Sequence, residues 1–142
     1  MRKSLTALAL MLAITTEAGI AVAQGVAPID IEGRWVGLSE SIVRGSPMHH
    51  APAPSNAPEL DNVLFTYTIS GQDGRRFWGK VSSPRNTELV TGVIGLDGKT
   101  IVAEDSDGLM QGTIIDPDTI DIIYAHTGTS TVVAVNRLKR QK

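Results

Sequence analysis

The stretch that decides the fold runs from Glu88 to His126. It reads Glu-Leu-Val-Thr-Gly-Val-Ile-Gly-Leu (88–96), Asp97-Gly98, Lys-Thr-Ile-Val-Ala-Glu (99–104), then Asp105-Ser106-Asp107-Gly108. Leu-Met-Gln-Gly-Thr-Ile-Ile (109–115), Asp116-Pro117-Asp118 and Thr-Ile-Asp-Ile-Ile-Tyr-Ala-His (119–126) complete it. Short runs of β-formers alternate with turn residues at nearly even spacing. Asp-Gly between two such runs marks a hairpin, because a type I′ turn needs positive φ at both central residues. Asp97-Gly98, Asp107-Gly108 and the Asp116–Asp118 turn therefore predict four strands in an antiparallel meander.

Working outward, Ile31–Val43 contains a first strand in which Gly33, Trp35 and Gly37 share one face. Asn62–Ser70 alternates, with Val63, Phe65, Tyr67 and Ile69 on one side. Arg75–Val81 sets Phe77, Gly79 and Val81 against Arg76, Trp78 and Lys80, and Thr131–Leu138 is the last strand. No helical periodicity appears after residue 23. The fold class expected is all-β: an eight-stranded antiparallel up-and-down β-barrel, whose closure removes both exposed edges. A two-sheet sandwich is the alternative. Eight strands leave an interior for packed side chains or one small ligand.

Residues 1–23 read as a cleaved signal peptide. Arg2 and Lys3 precede the apolar run Leu5–Ile14, and Ala21-Val22-Ala23 supplies the small-x-small cleavage pattern. The apolar run is too short to span a bilayer, so no membrane span is expected. Residues 24–142 then form a single domain in a periplasmic or secreted setting. The chain has no cysteine, which excludes disulfides, thiol catalysis and a lipobox. Net charge is −2, and loss of Arg2, Lys3 and Glu17 takes it to −3. No basic stripe follows from such a balance, so nucleic acid is not an expected partner.

Gly33-Arg34-Trp35, with Arg137 on the final strand, resembles the calycin superfamily of lipocalins, fatty-acid-binding proteins and avidins. The resemblance implies that Gly33 and Trp35 close one barrel end and that Arg137 packs across the tryptophan, a cation–π contact. In length, and in lacking a C-terminal helix, the chain looks most like an avidin-type barrel. Its long first connection looks like a lipocalin lid. Avidins cage biotin with several tryptophans, whereas only Trp35 and Trp78 exist here. Biotin binding is therefore not carried over. The same barrel shape occurs in bacterial inhibitors of secreted proteases, which keeps a protein partner open.

Four residues form the expected ligand-facing set: Tyr67, Tyr124, His126 and Trp35. Tyrosine hydroxyls in an apolar cavity would orient one small molecule. The plainer readings are core tyrosines with satisfied hydroxyls and, for His126 beside a turn, a strand-end histidine in solvent. Arg44–Asp61 contains Pro47, Pro52, Pro54 and Pro58, which exclude a central strand or stable helix. It reads as a mobile lid carrying Met48, His49 and His50. Adjacent histidines on such a loop are not a preorganised metal site, and a solvated loop is the preferred reading. Trp78, between Arg76 and Lys80, is a candidate interface anchor or a ring covered by its neighbours' stems. The aspartates read as turn chemistry. No catalytic residues, cofactor or metal are assigned. A small-molecule ligand or a secreted or periplasmic protein is the expected partner, with a homo-oligomer left open.

Overall fold

A computed structural model describes residues 25–142, and the segment read as a signal peptide lies outside them. Among the described residues, nine strands occur in chain order: β1 (Gly33–Arg44), β2 (Glu59–Asp61), β3 (Leu64–Asp73), β4 (Arg76–Ser82), β5 (Thr87–Ile94), β6 (Thr100–Glu104), β7 (Gly108–Asp116), β8 (Thr119–His126) and β9 (Thr131–Gln141). Every neighbouring pair from β3 to β9 is antiparallel. β1 joins β3 on one side and β9 on the other, which closes an eight-stranded up-and-down barrel. The three-residue β2 extends the β3 edge against Ser41–Val43. Among the described residues, no helix is long and apolar enough to cross a membrane.

Period-two alternation sets what faces inward. On β1 the odd positions from Trp35 to Val43 are buried, and on β9 the even positions from Val132 to Leu138 are. Leu89, Val93, Ile123, Val133 and Val135 fall on the opposite parity and stay exposed on the outer wall.

The hairpins occur where the sequence places them, but the turn type differs. Among the described residues no non-glycine residue has positive φ, so neither Asp-Gly pair forms a type I′ turn. Residues 95–99 make a five-residue loop in which Gly98 alone takes φ 72°, while the Asp97 carboxylate accepts the Lys99 and Thr100 amides at 2.9 Å each. Those bonds hold the Asp97 carboxyl down at about 2, with the Thr100 hydroxyl contributing most. Gly108 is already inside β7. Its missing side chain is filled by the Tyr124 ring, which a Cβ would overlap.

One end of the barrel is sealed by the leader to β1, residues 25–32. Ile31 is buried, and the Gln72 carboxamide accepts its amide and donates to the Ile29 carbonyl. Arg75 donates to the Val26 and Gly95 carbonyls. Trp35 donates its indole N–H to the Ile31 carbonyl at 2.9 Å. The cation across its ring is Arg140, with its guanidinium carbon 4.3 Å from the centroid. This corrects the assignment of Arg137. Position 137 has outward parity on β9, and its side chain forms a surface pair with Asp121 at 2.6 Å. Arg140, at the strand end, turns over the opening and also donates to the Asp30, Glu32 and Pro117 carbonyls. Gly33 lies directly beneath that guanidinium.

Candidate functional site

The end opposite the leader is built from the 45–58 loop and the β4–β5, β6–β7 and β8–β9 turns. These converge on a chamber of about 30 Å³ at the barrel mouth. Its apolar walls are Phe65, Val81, Ile122, Val132 and Ala134. A second gap of about 30 Å³ lies towards the sealed end, lined by apolar side chains and Tyr67. Each has room for a water or two. The lower barrel is thus a packed core, and the titratable side chains that face the interior gather at the mouth.

Tyr67 and Tyr124 both face this chamber. Burial above all, and then the charge of Asp105, pushes both phenols far above their ordinary range, so they are neutral donors. Tyr124 donates to Asp107 Oδ1 at 2.8 Å. The Tyr67 hydroxyl makes no hydrogen bond to a described residue, although its side chain is only 7% exposed. Trp35 does not join them. It lines the lower apolar gap and belongs to the sealed end.

His126 is not a solvated strand end. It is buried, with Nδ1 3.3 Å from Asp107 Oδ2 and Nε2 3.4 Å from Ser130 Oγ. The lid also departs from expectation, since it is packed down rather than solvated. Gly45 bridges to Ala53, and both histidines are buried. His49 places Nε2 2.8 Å from Glu88 Oε2 and Nδ1 2.9 Å from Ser83 Oγ, and His50 Nδ1 lies 3.0 Å from Asp61 Oδ2. Both rings stand edge-on to Phe65, at 5.3 and 6.1 Å. Met48 stays on the rim, half exposed, within 3.7 Å of the Asn86 amide. Trp78 is exposed on the outer wall, as its parity requires, with its ring covering Gly71 on the neighbouring strand.

Three carboxylates complete the mouth: Glu88, Asp105 and Asp107. One oxygen from each lies within 4.8 Å of the other two, close enough to share a cation. Ser106 donates to the second oxygen of Glu88. Asp105 does hold its turn, accepting the Gly108 amide at 2.9 Å, so turn chemistry and site chemistry coincide in one residue. No family model matches the chain, and neither a curated protein nor a solved structure is significantly similar to it. The site therefore rests on its own geometry.

Sequence reading alone misses Glu88, Asp61, Ser39 and Asn136. Parity could have found two of them. Glu88 continues the inward series Val90, Gly92 and Ile94, and Asn136 sits between Ala134 and Leu138. A polar residue at an inward position of an apolar strand is costly unless it is satisfied or used.

The carboxylate cluster gives a pH-dependent expectation. Burial raises the Asp105 carboxyl, and the charges of Glu88 and Asp107 add to the rise against two backbone hydrogen bonds. A carboxyl raised in the folded state contributes its stability below its unfolded value of about 3.9 and loses it as pH rises through the folded value. Ionised Asp105 therefore weighs against the fold at neutral pH. Asp105→Asn, whose amide oxygen can still accept from Gly108, is expected to raise Tm by a few degrees at pH 7 and by nothing at pH 3. A lower Tm at pH 7 would contradict this account.

Proposed function

We propose that this is an exported binding protein whose barrel mouth holds one small, partly apolar molecule beneath the 45–58 loop. The carrying observation is the division of the interior. The lower barrel is filled by apolar side chains, while Tyr67, Asn136, Asp105 and Asp107 converge on apolar walls at the mouth, with Glu88 beside the two aspartates. A concave, mostly apolar pocket with a few convergent polar groups is the usual form of a small-ligand site. Export rests on the pattern of residues 1–23 and places the protein in the periplasm or outside the cell.

The alternative, a protein-interaction module such as a protease inhibitor, would present the leader and the proline-rich loop to a partner's cleft. The proline-rich loop instead lies against the barrel through Pro47, His49 and His50, which are buried, while residues 25–30 stay exposed or half-buried. That favours the small-molecule reading.

Native mass spectrometry of the protein purified without denaturation is expected to show an adduct of small mass. Extracting that molecule should lower Tm, and adding it back should restore it. Tyr67→Phe combined with Tyr124→Phe should weaken its retention about tenfold, the loss of one or two oriented hydrogen bonds. An empty wild type together with unaltered behaviour of the double variant would sink the proposal.

A further inference from the structure

His49 occupies the chamber much as a ligand would. Its ring lies edge-on to Phe65, its Nε2 is 2.8 Å from a Glu88 oxygen, and its Nδ1 is 2.9 Å from the Ser83 hydroxyl. The loop delivers it from outside the sheet, since His49 belongs to none of the nine strands. Glu88 and His49 are both buried, at 9% and 8% exposure, so the pair is shielded from solvent screening.

The rest of the chamber is short of positive charge. Asp105 and Asp107 line it with Tyr124 and His126, and among the described residues no lysine or arginine does. Burial above all raises the Asp105 carboxyl, and the charges of Glu88 and Asp107 add to the rise. Two oxygen atoms on the same chamber also lack a partner among the described residues. The Tyr67 hydroxyl makes no hydrogen bond to a described residue. Asn136, only 6% exposed, lines the chamber; its Nδ2 donates to the Gly37 carbonyl at 3.4 Å, while no described donor reaches its Oδ1. Its carboxamide lies over Gly37, where a Cβ would overlap it. A buried acceptor without a donor calls for one from outside the chain.

We infer that the mouth chamber binds a small organic cation, an amine or imidazole on an apolar body, and that His49 is the chain's own occupant of the position this cation takes. The inference rests on the small-molecule reading above and names the ligand class for that same site. The cation's N–H groups replace His49 at Glu88 and reach Asp105 and Asp107, while its apolar body lies against Phe65, Val81 and Ile122. With His49 in place the chamber has room only for a water or two, so binding requires the loop to give up that contact. Tight affinity is thereby reduced by the fraction of molecules in which His49 is in. A hard divalent ion fits less well. Calcium takes six to eight oxygens, and the walls beside the carboxylates are Phe65, Val81 and Ile122.

Isothermal titration of the purified protein with benzylamine tests this, with benzyl alcohol and benzoate as neutral and anionic isosteres and calcium or zinc chloride as metal arms. The wild type should prefer benzylamine to benzyl alcohol by about tenfold or more, the effect of a charge-assisted hydrogen bond. Benzoate and the metals should be weaker still. His49→Ala should bind benzylamine about tenfold tighter than wild type, and Glu88→Gln about tenfold weaker. Asp105→Asn, which keeps its turn, should weaken the amine in the same direction if Glu88→Gln fails to fold. Equal binding of alcohol and amine, or a metal bound in preference to the amine, overturns the cation inference and leaves the small-molecule reading intact. If His49→Ala binds none of the probes and the wild type carries no adduct, both fall.

Discussion

Truncating Trp35 to alanine is expected to remove about 3–5 kcal/mol of unfolding free energy, the range for emptying a large aromatic site in a core. Three losses add at that position. The indole is 1% exposed, so its whole apolar surface returns to a cavity. Its N–H no longer satisfies the Ile31 carbonyl, which leaves a buried acceptor unpaired. Arg140 loses the ring beneath its guanidinium, although it keeps three carbonyl acceptors in the leader and the β7–β8 turn. A domain of this kind has on the order of 5–15 kcal/mol in total, so the variant should sit near the edge of folding. Urea melts followed by near-ultraviolet circular dichroism measure the loss. Arg140→Ala provides the internal comparison, because it removes the cation and its donors while leaving the core filled. It should cost less than half as much. A Trp35→Ala loss below about 1.5 kcal/mol would mean that the leader end is not the sealed end.

That end also shows where sequence and structure part company. The Gly33-Arg34-Trp35 motif pointed to a closing tryptophan with an arginine from the last strand, and such an arginine is present. Its identity depended on where β9 stops. Thr131–Leu138 as the strand makes Arg137 the terminal cation, whereas the observed strand runs on to Gln141 and carries Arg140 to the opening. Strand existence and parity follow from local alternation, so all eight barrel strands were legible. Strand ends and turn types depend on tertiary contacts that no window of residues contains. The loop histidines are the sharper case. Nothing within Met48-His49-His50 signals burial, because the partners Glu88, Ser83, Asp61 and Phe65 come from other parts of the chain. Tyr67 and Tyr124 were legible as inward residues because each continues an alternating apolar series.

Gly79→Ala is expected to cost about 3 kcal/mol, for a reason that depends on space rather than on backbone conformation. Gly79 faces inward on β4, opposite Ile69 of β3 and Val90 of β5. A Cβ there would overlap the Thr68 carbonyl oxygen and stand 2.8 Å from Ile69 Cα. The obstructing atoms are backbone, next to the register shift between Ile69 and Gly71, so no rotamer change relieves the overlap. Either β3 moves outward and weakens its pairing with β4, or the bulge is redrawn. Overpacking a fixed wall costs 1–3 kcal/mol and occasionally more, and a backbone obstruction belongs at the upper end. Gly74 supplies the opposite case. It has no atom within 4 Å of a would-be Cβ, but its φ of +58° is left-handed. Alanine there pays only for that conformation, about 1 kcal/mol. Chemical melts of the two variants should therefore separate by about threefold in destabilisation. If Gly79→Ala came within 0.5 kcal/mol of wild type, roughly the scatter of a neutral surface change, β3 and β4 could not lie as close as this barrel requires. The curvature that brings Tyr67 into the mouth would then need another origin.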